Sequence, residues 1–173
     1  SVAAAAGATL GWIPTIERLD EGDSLVIAHR GDTTAAVENT IDVSRNEWKY
    51  VAKVHCDLAA DLPRVMCNGN EIKQVLLNLL VNAAQAIDEK FGTKSGARGT
   101  VRITTRRKGE FAEIEVADNG PGIPEHVMPR LFEPFFTTKG IGQGTGQGLA
   151  IAHSIIADAH DGEIVVHSEP GAG

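Results

Sequence analysis

The sequence predicts an α+β fold, a two-layer sandwich whose mixed, mainly antiparallel sheet is covered on one face by helices. Three observations carry that expectation. Residues 71–88 hold apolar side chains at helical spacing, whereas 101–107 and 111–117 alternate as strands do. Lys108-Gly109 between those two runs reads as the turn of a β-hairpin. Further helical and alternating stretches are mixed along 33–167, the pattern of helices laid on a sheet.

Taken in order, residues 1–31 show no clean period, because Gly7, Gly11, Pro14, Gly22 and Gly31 interrupt every candidate element. They are set apart as an N-terminal segment of unclear origin, and 32–173 as the domain. A helix is expected over 33–46, with Asp32 as its cap and Val37, Ile41 and Val43 turned inward. Residues 51–58 read as a strand, Leu62-Pro63 as a turn and 65–67 as a short extended piece. Asn70 is placed as the cap of the 71–88 helix, whose apolar stripe is Ile72, Val75, Leu76, Leu79, Ala83, Ala86 and Ile87. A polar loop over 89–99 leads into the hairpin. After Asp118 come a loop, a short helix near 125–131, a glycine run, a helix over 147–159 stopped by Gly162, and a last strand over 163–167.

Bulk properties narrow the possibilities. The 173 residues are enough for one domain with a sizeable core, and 42% apolar with 23% charged residues is ordinary for a globular chain. A net charge of −7 argues against nucleic acid or an anionic membrane surface as the main partner. No run approaches the ~18 apolar residues of a membrane span. The first residues lack the basic flank of a signal peptide, and the absence of an initial Met suggests a piece of something larger. Cys56 and Cys67 fit no zinc or disulfide framework and are expected to be buried in a reducing compartment.

The polar residues of the 71–88 helix also share a face: Glu71, Asn78, Asn82 and Gln85 fall in one narrow stripe. This is either a solvated surface or a row of ligands along a cleft, and an amide carbonyl suits Mg²⁺. Asp118 follows an apolar strand and precedes Asn119, Gly120, Pro121 and Gly122. It reads either as a plain tight turn or as a carboxylate that accepts a hydrogen bond from an amino group, with glycines letting a planar ring approach. Glycines at 140, 142, 144, 146 and 148 follow Lys139 and run into a helix. Such a loop is a flexible linker or a phosphate site, since helix N-termini favour anions and lysine is a mobile point charge. No Gly-Lys-[Ser/Thr] is present and no strand precedes the run, so neither a P-loop nor a dinucleotide fingerprint applies. Phe132, Phe135 and Phe136 lie between the two glycine motifs, as a small satellite core or as anchors of a hinged lid.

In this order the motifs resemble the catalytic ATP-binding domain of bacterial sensor histidine kinases, a member of the Bergerat-fold ATPases with gyrase, a heat-shock chaperone family and MutL. The resemblance covers about residues 33–171. It rests on an N box (Asn78, Asn82), a G1 box (Asp118, Gly120, Gly122), an F box (Phe132, Phe135, Phe136) and a G2 box (Gly144, Gly146, Gly148). Residues 46–51 also resemble the approach to this domain in one kinase subgroup. The resemblance implies ATP and Mg²⁺ as ligands, with Asp118 at the adenine amino group, Asn82 on the metal and Asn78 beside it. It implies Lys139, Gly144, Gly146 and Gly148 around the phosphates. Gln85, Ile123, Phe132, Thr138, Thr145, Gln147 and Leu149 complete the implied nucleotide-binding set, and Asn78 and Lys139 the catalytic pair. The implied partners are a histidine-bearing dimerisation domain and a response regulator, in a cytoplasmic setting and without nucleic acid or membrane contact.

Two features set the chain apart from that pattern. His29, His55, His126, His153 and His167 lack a following acid, and His160-Asp161 stands at a helix end, so the chain carries no phosphoacceptor histidine of its own. The family pattern also continues beyond Gly173 with one more strand. Gyrase-type ATPases have a glutamate base where this chain has Asn78, and an amide cannot deprotonate water. The expected reaction is therefore γ-phosphoryl transfer to a supplied histidine. A non-catalytic nucleotide-binding module and, less favoured, a gyrase-like ATPase are the alternatives.

Overall fold

The computed structural model describes residues 6–14, 27–28, 30–62, 65–92, 96–109, 111–138, 145–171 and 173, with side-chain detail from Val37 onward. A five-stranded sheet has the order β3-β5-β6-β1-β7. Its strands are β1 (Ala6–Pro14), β3 (Ala52–Leu58), β5 (Gly99–Lys108), β6 (Phe111–Asp118) and β7 (Glu163–His167). β3 runs parallel to β5, and the other neighbours pair antiparallel. Two short strands, β2 (Ile27–Ala28) and β4 (Val65–Met66), pair separately. The mixed, mainly antiparallel sheet is the one expected.

The hairpin β5–β6 forms in the expected register, with Lys108 opposite Phe111 and Val101 opposite Asp118. Alternation does the work here: Val101 and Ile103 on β5, and Ala112, Ile114 and Val116 on β6, are all buried in the core. The helix laid on them is α3 (Gly69–Phe91), whose Ile72, Val75, Leu76, Leu79, Leu80, Ala83, Ala84 and Ile87 are buried. Its cap is Asn68 rather than Asn70: the Asn68 side chain accepts a hydrogen bond from the Asn70 N–H at 3.1 Å. At the same end, the Asn68 N–H donates to Nε2 of the buried His160 at 2.9 Å, so Nδ1, 2.7 Å from the Ile155 carbonyl, is the ring nitrogen that donates.

α1 (Arg30–Val43) and the single turn α2 (Arg45–Trp48) occupy the stretch predicted as one helix. Val37 is buried and Ile41 packs on the core, but Val43 is 77% exposed and so points away from it. The segment expected to be helical near 125–131 is a 3₁₀ turn, Met128–Arg130. The late helix divides into α4 (Gly148–His153) and a π-helical turn, Ser154–Ala159.

β1 corrects the reading of the N-terminal segment. It pairs with β6 from Ala6 opposite Asp118 to Pro14 opposite Phe111, and with β7 from Gly7 opposite His167 to Gly11 opposite Glu163. Residues 6–14 of the stretch set apart from the domain thus lie inside the sheet. Gly7, Gly11 and Pro14 depress strand propensity, and pairing on both edges overrides it. The register breaks once, between Leu10 and Ile13, where β1 bulges against β6. Cys56 is exposed on the edge strand β3 and only Cys67 is buried, so the expectation of two buried thiols holds for one.

Candidate active site

A cleft of about 660 Å³ opens between α3, the loop after β6, the segment before α4 and the end of β7. Its size suits a nucleotide-sized ligand. The amide stripe of α3 forms one wall: Asn78, Asn82 and Gln85 all line it. Glu71, at the start of the same stripe, does not; its carboxylate lies 3.7 Å from His160 Nε2. The opposite side brings in Asp118, Gly122 and Ile123, and the two flanks of the glycine run bring in Thr138, Thr145, Gly146, Gly148 and Leu149. Lys139 and Gly144 lie outside the described residues.

Three expected residues stand back from the cleft. Phe132 packs on His153 with ring centroids 4.8 Å apart and the rings tilted, and against the core. Phe136 lines the cleft in its place, with the Arg130 guanidinium 4.1 Å from its ring centroid. Gln147 sits at the N-cap of α4 and makes no cap bond with its side chain. Gly120 is buried: a Cβ there would come within 2.9 Å of Ala86 Cβ and 2.7 Å of Asp118 Oδ1. Its glycine allows the close approach of loop to helix. Gly122, at φ +76°, is hemmed in by the Glu169 carbonyl, so it serves packing against the chain after β7.

Asp118 ends β6 half-buried, and its Oδ1 accepts from the Gly120 N–H at 2.8 Å. Burial pushes its carboxyl above the usual range, opposed by that N–H and by the Lys90 ammonium. The Asn119 side chain turns away from the cleft and accepts from the Thr100 N–H at 2.8 Å, bracing the loop against β5. Across the cleft, Asn78 Nδ2 donates to the Gly148 carbonyl at 3.1 Å and ties α3 to the start of α4. The segment before α4 is tied to Phe135, whose N–H donates to the Gly146 carbonyl at 2.9 Å; its backbone is left-handed and the residue is 72% exposed.

Sequence reading missed Glu89, Val127, Leu131 and His167 among the cleft-lining residues. Val127 and Leu131 belong to an apolar floor that no polar motif marks. Glu89 follows the amide stripe by one turn beyond Gln85 and was within reach of the same spacing argument.

The sequence family described as histidine kinase-, DNA gyrase B-, and HSP90-like ATPase matches residues 67–173. The chain belongs to this family. Within it the chain is an ATP-binding catalytic domain of the histidine kinase type. It is 39% identical over 112 residues to the sensor histidine kinase ZraS of Escherichia coli, covering 65% of this chain and 22% of that protein. It is 42% identical over 118 residues to the signal transduction histidine-protein kinase AtoS of the same organism, covering 68% of this chain and 18% of that one. The chain thus spans about a fifth of the length of these relatives. Among solved structures, the catalytic domain of histidine kinase ThkA superposes with a TM-score of 0.67 at 28% identity, over 86% of this chain and 97% of that one. Among the described residues, no helix of this histidine kinase-type domain is long and apolar enough to cross a membrane.

Proposed function

We propose that the cleft binds ATP with Mg²⁺ and transfers the γ-phosphoryl group to a histidine on a separate dimerisation domain. The observation that carries this reading is the placement of amides and carboxylates. Asn78 and Asn82 line the cleft on α3, with Asn78 tied to the glycine that begins α4, whereas the lining carboxylates among the described residues are Asp118 and Glu89. A water molecule on the α4 side would find no carboxylate base in Asn78 or Asn82, while an incoming imidazole brings its own lone pair. The imidazole nitrogen forms the P–N bond as the γ-phosphorus leaves its bridging oxygen, and ADP departs with that electron pair.

In this reading Asp118 accepts from the adenine amino group through the oxygen not engaged by Gly120. Thr145, Gly146, Gly148 and the start of α4 present backbone to the phosphates, with Lys139 and Gly144 as further phosphate contacts. Asn82 would hold the metal through its amide oxygen, with Asn78 beside it. The donor set fits Mg²⁺: Asn82 lines the cleft, an amide carbonyl is a hard oxygen ligand, and Mg²⁺ takes few protein ligands when phosphates supply the rest. When bound, the ion would neutralise phosphate charge. A response regulator downstream and a cytoplasmic setting belong to the same proposal.

Calorimetric titration of ATP with and without Mg²⁺, followed by transfer of labelled phosphate to an added histidine-bearing hairpin domain, tests the proposal. Mg²⁺-assisted binding and labelling of the histidine support it. Steady ATP hydrolysis without any acceptor would overturn it in favour of a gyrase-like activity, and binding without transfer in favour of a sensing module.

A further inference from the structure

Lys90 lies in the last turn of α3, beyond every motif in the sequence, and its ammonium is fully used. Its Nζ donates to the carbonyls of Asn119 and Gly120, both at 2.9 Å, and of Gly171 at 3.1 Å. An ammonium has three donors, and three acceptors meet it here. Two of them are successive carbonyls of the loop that follows Asp118, and the third comes from the chain after β7. The position also favours a cation, since the end of a helix presents the negative pole of its dipole.

One of these bonds reaches the cleft through a single rigid unit. In a trans peptide, C=O and N–H point to opposite edges of one plane. The Asn119–Gly120 peptide has its oxygen on Lys90 and its N–H on Asp118 Oδ1 at 2.8 Å. Drawing the oxygen toward α3 therefore directs the N–H at the carboxylate and commits Oδ1, which leaves the second oxygen for the cleft. Pro121 has no N–H to compete, and its carbonyl accepts from the Gly171 N–H at 2.6 Å. The chain after β7 is thus pinned to the loop through the Gly171 N–H and to Lys90 of α3 through the Gly171 carbonyl.

We propose that Lys90 is a positioning residue of the nucleotide site, orienting the Asp118 carboxylate through the Asn119–Gly120 peptide. This rests on the proposed role of Asp118 at the base. Lys90 acts on the base end of the ligand, so its loss weakens binding of adenosine and of ATP alike.

The test compares Lys90→Met, which keeps the stem and loses the charge, with Lys90→Arg, which keeps the charge. Lys90→Met is expected to weaken both ATP and adenosine by about tenfold, on the scale of one charge-assisted hydrogen bond. Lys90→Arg is expected to recover part of that loss. In an Asp118→Ala background, Lys90→Met is expected to add almost nothing, as coupled residues do. Unchanged affinity, loss for ATP alone, or a full additive loss beside Asp118→Ala would each overturn the proposal. Amide exchange at Gly120, measured without nucleotide, separates this idea from the functional reading. If the wild-type chain binds no adenosine or ATP, faster Gly120 exchange in Lys90→Met still supports the positioning role, and unchanged exchange overturns it.

Discussion

Asn78, in the middle of α3, donates its side-chain N–H to the carbonyl of Gly148, the first residue of α4, at 3.1 Å. Two elements seventy positions apart in sequence thereby meet at the cleft. The bond makes Asn78 a structural clasp as well as a member of the amide wall.

Removing that clasp has a measurable cost. A hydrogen bond of this kind contributes about 0.5–1.5 kcal/mol net, so Asn78→Ala is expected to lower the melting temperature by about 2–6 °C. Asn78→Asp places an acceptor against an acceptor and is expected to lose at least as much at neutral pH. Thermal denaturation checks both, and an Asp variant as stable as wild type would contradict the clasp.

Asp118 sets stability against binding. Because burial raises its carboxyl in the folded state, its contribution is fully present below the ordinary carboxylate value of about 3.9 and is lost as pH rises through the folded value. Asp118→Asn is therefore expected to be more stable than wild type at pH 7, with the difference gone by about pH 3. Denaturant midpoints across pH measure this. The same variant is expected to bind ATP roughly tenfold to 150-fold more weakly.

The two thiols differ in accessibility. Cys56 is exposed on β3, with its thiol raised by partial burial and then by the charge of Glu38. Cys67 is buried and its thiol is pushed up to about 11 by desolvation. A chromogenic disulfide at pH 8 is expected to modify one thiol quickly and the second only as fast as the protein opens. In Cys56→Ser the fast phase disappears; two fast phases in wild type would contradict the burial of Cys67.

Gly122 and Gly109 form a matched pair. Both have positive φ, +76° and +65°, but a Cβ at Gly109 meets nothing within 4 Å, whereas at Gly122 it meets the Glu169 carbonyl. Gly109→Ala is expected to cost about 1–2 kcal/mol for the left-handed backbone alone. Gly122→Ala is expected to cost more and to weaken ATP binding, because the chain after β7 must shift. Equal destabilisation in urea melts would remove the steric argument.

Much of this was legible in the residues. Period and turn chemistry gave α3 and the β5–β6 hairpin, and the amide spacing on α3 placed Asn78, Asn82 and Gln85 on one wall of the cleft. Contacts that depend on what lies opposite were not legible. Phe132 could not be told from Phe136 by spacing, since which ring turns inward depends on His153. Spacing alone suggests room for a ligand at Gly120 and Gly122, but not that Ala86 and Glu169 also need that room. Lys90 belongs to no motif because its partners are backbone carbonyls, which any residue supplies. β1 was hidden because glycine and proline mask a strand whose order comes from its neighbours.

The place of β1 bears on how the chain assembles. It precedes both its partners, β6 and β7, which come from the later part of the chain. The α3 and β5–β6 unit is built from contacts closer in sequence and can gather early, whereas threading β1 between β6 and β7 closes a very long loop. Such pairings slow folding. Because β1 sits between β6 and β7 in the sheet, the seating of this strand is expected to slow refolding of the domain.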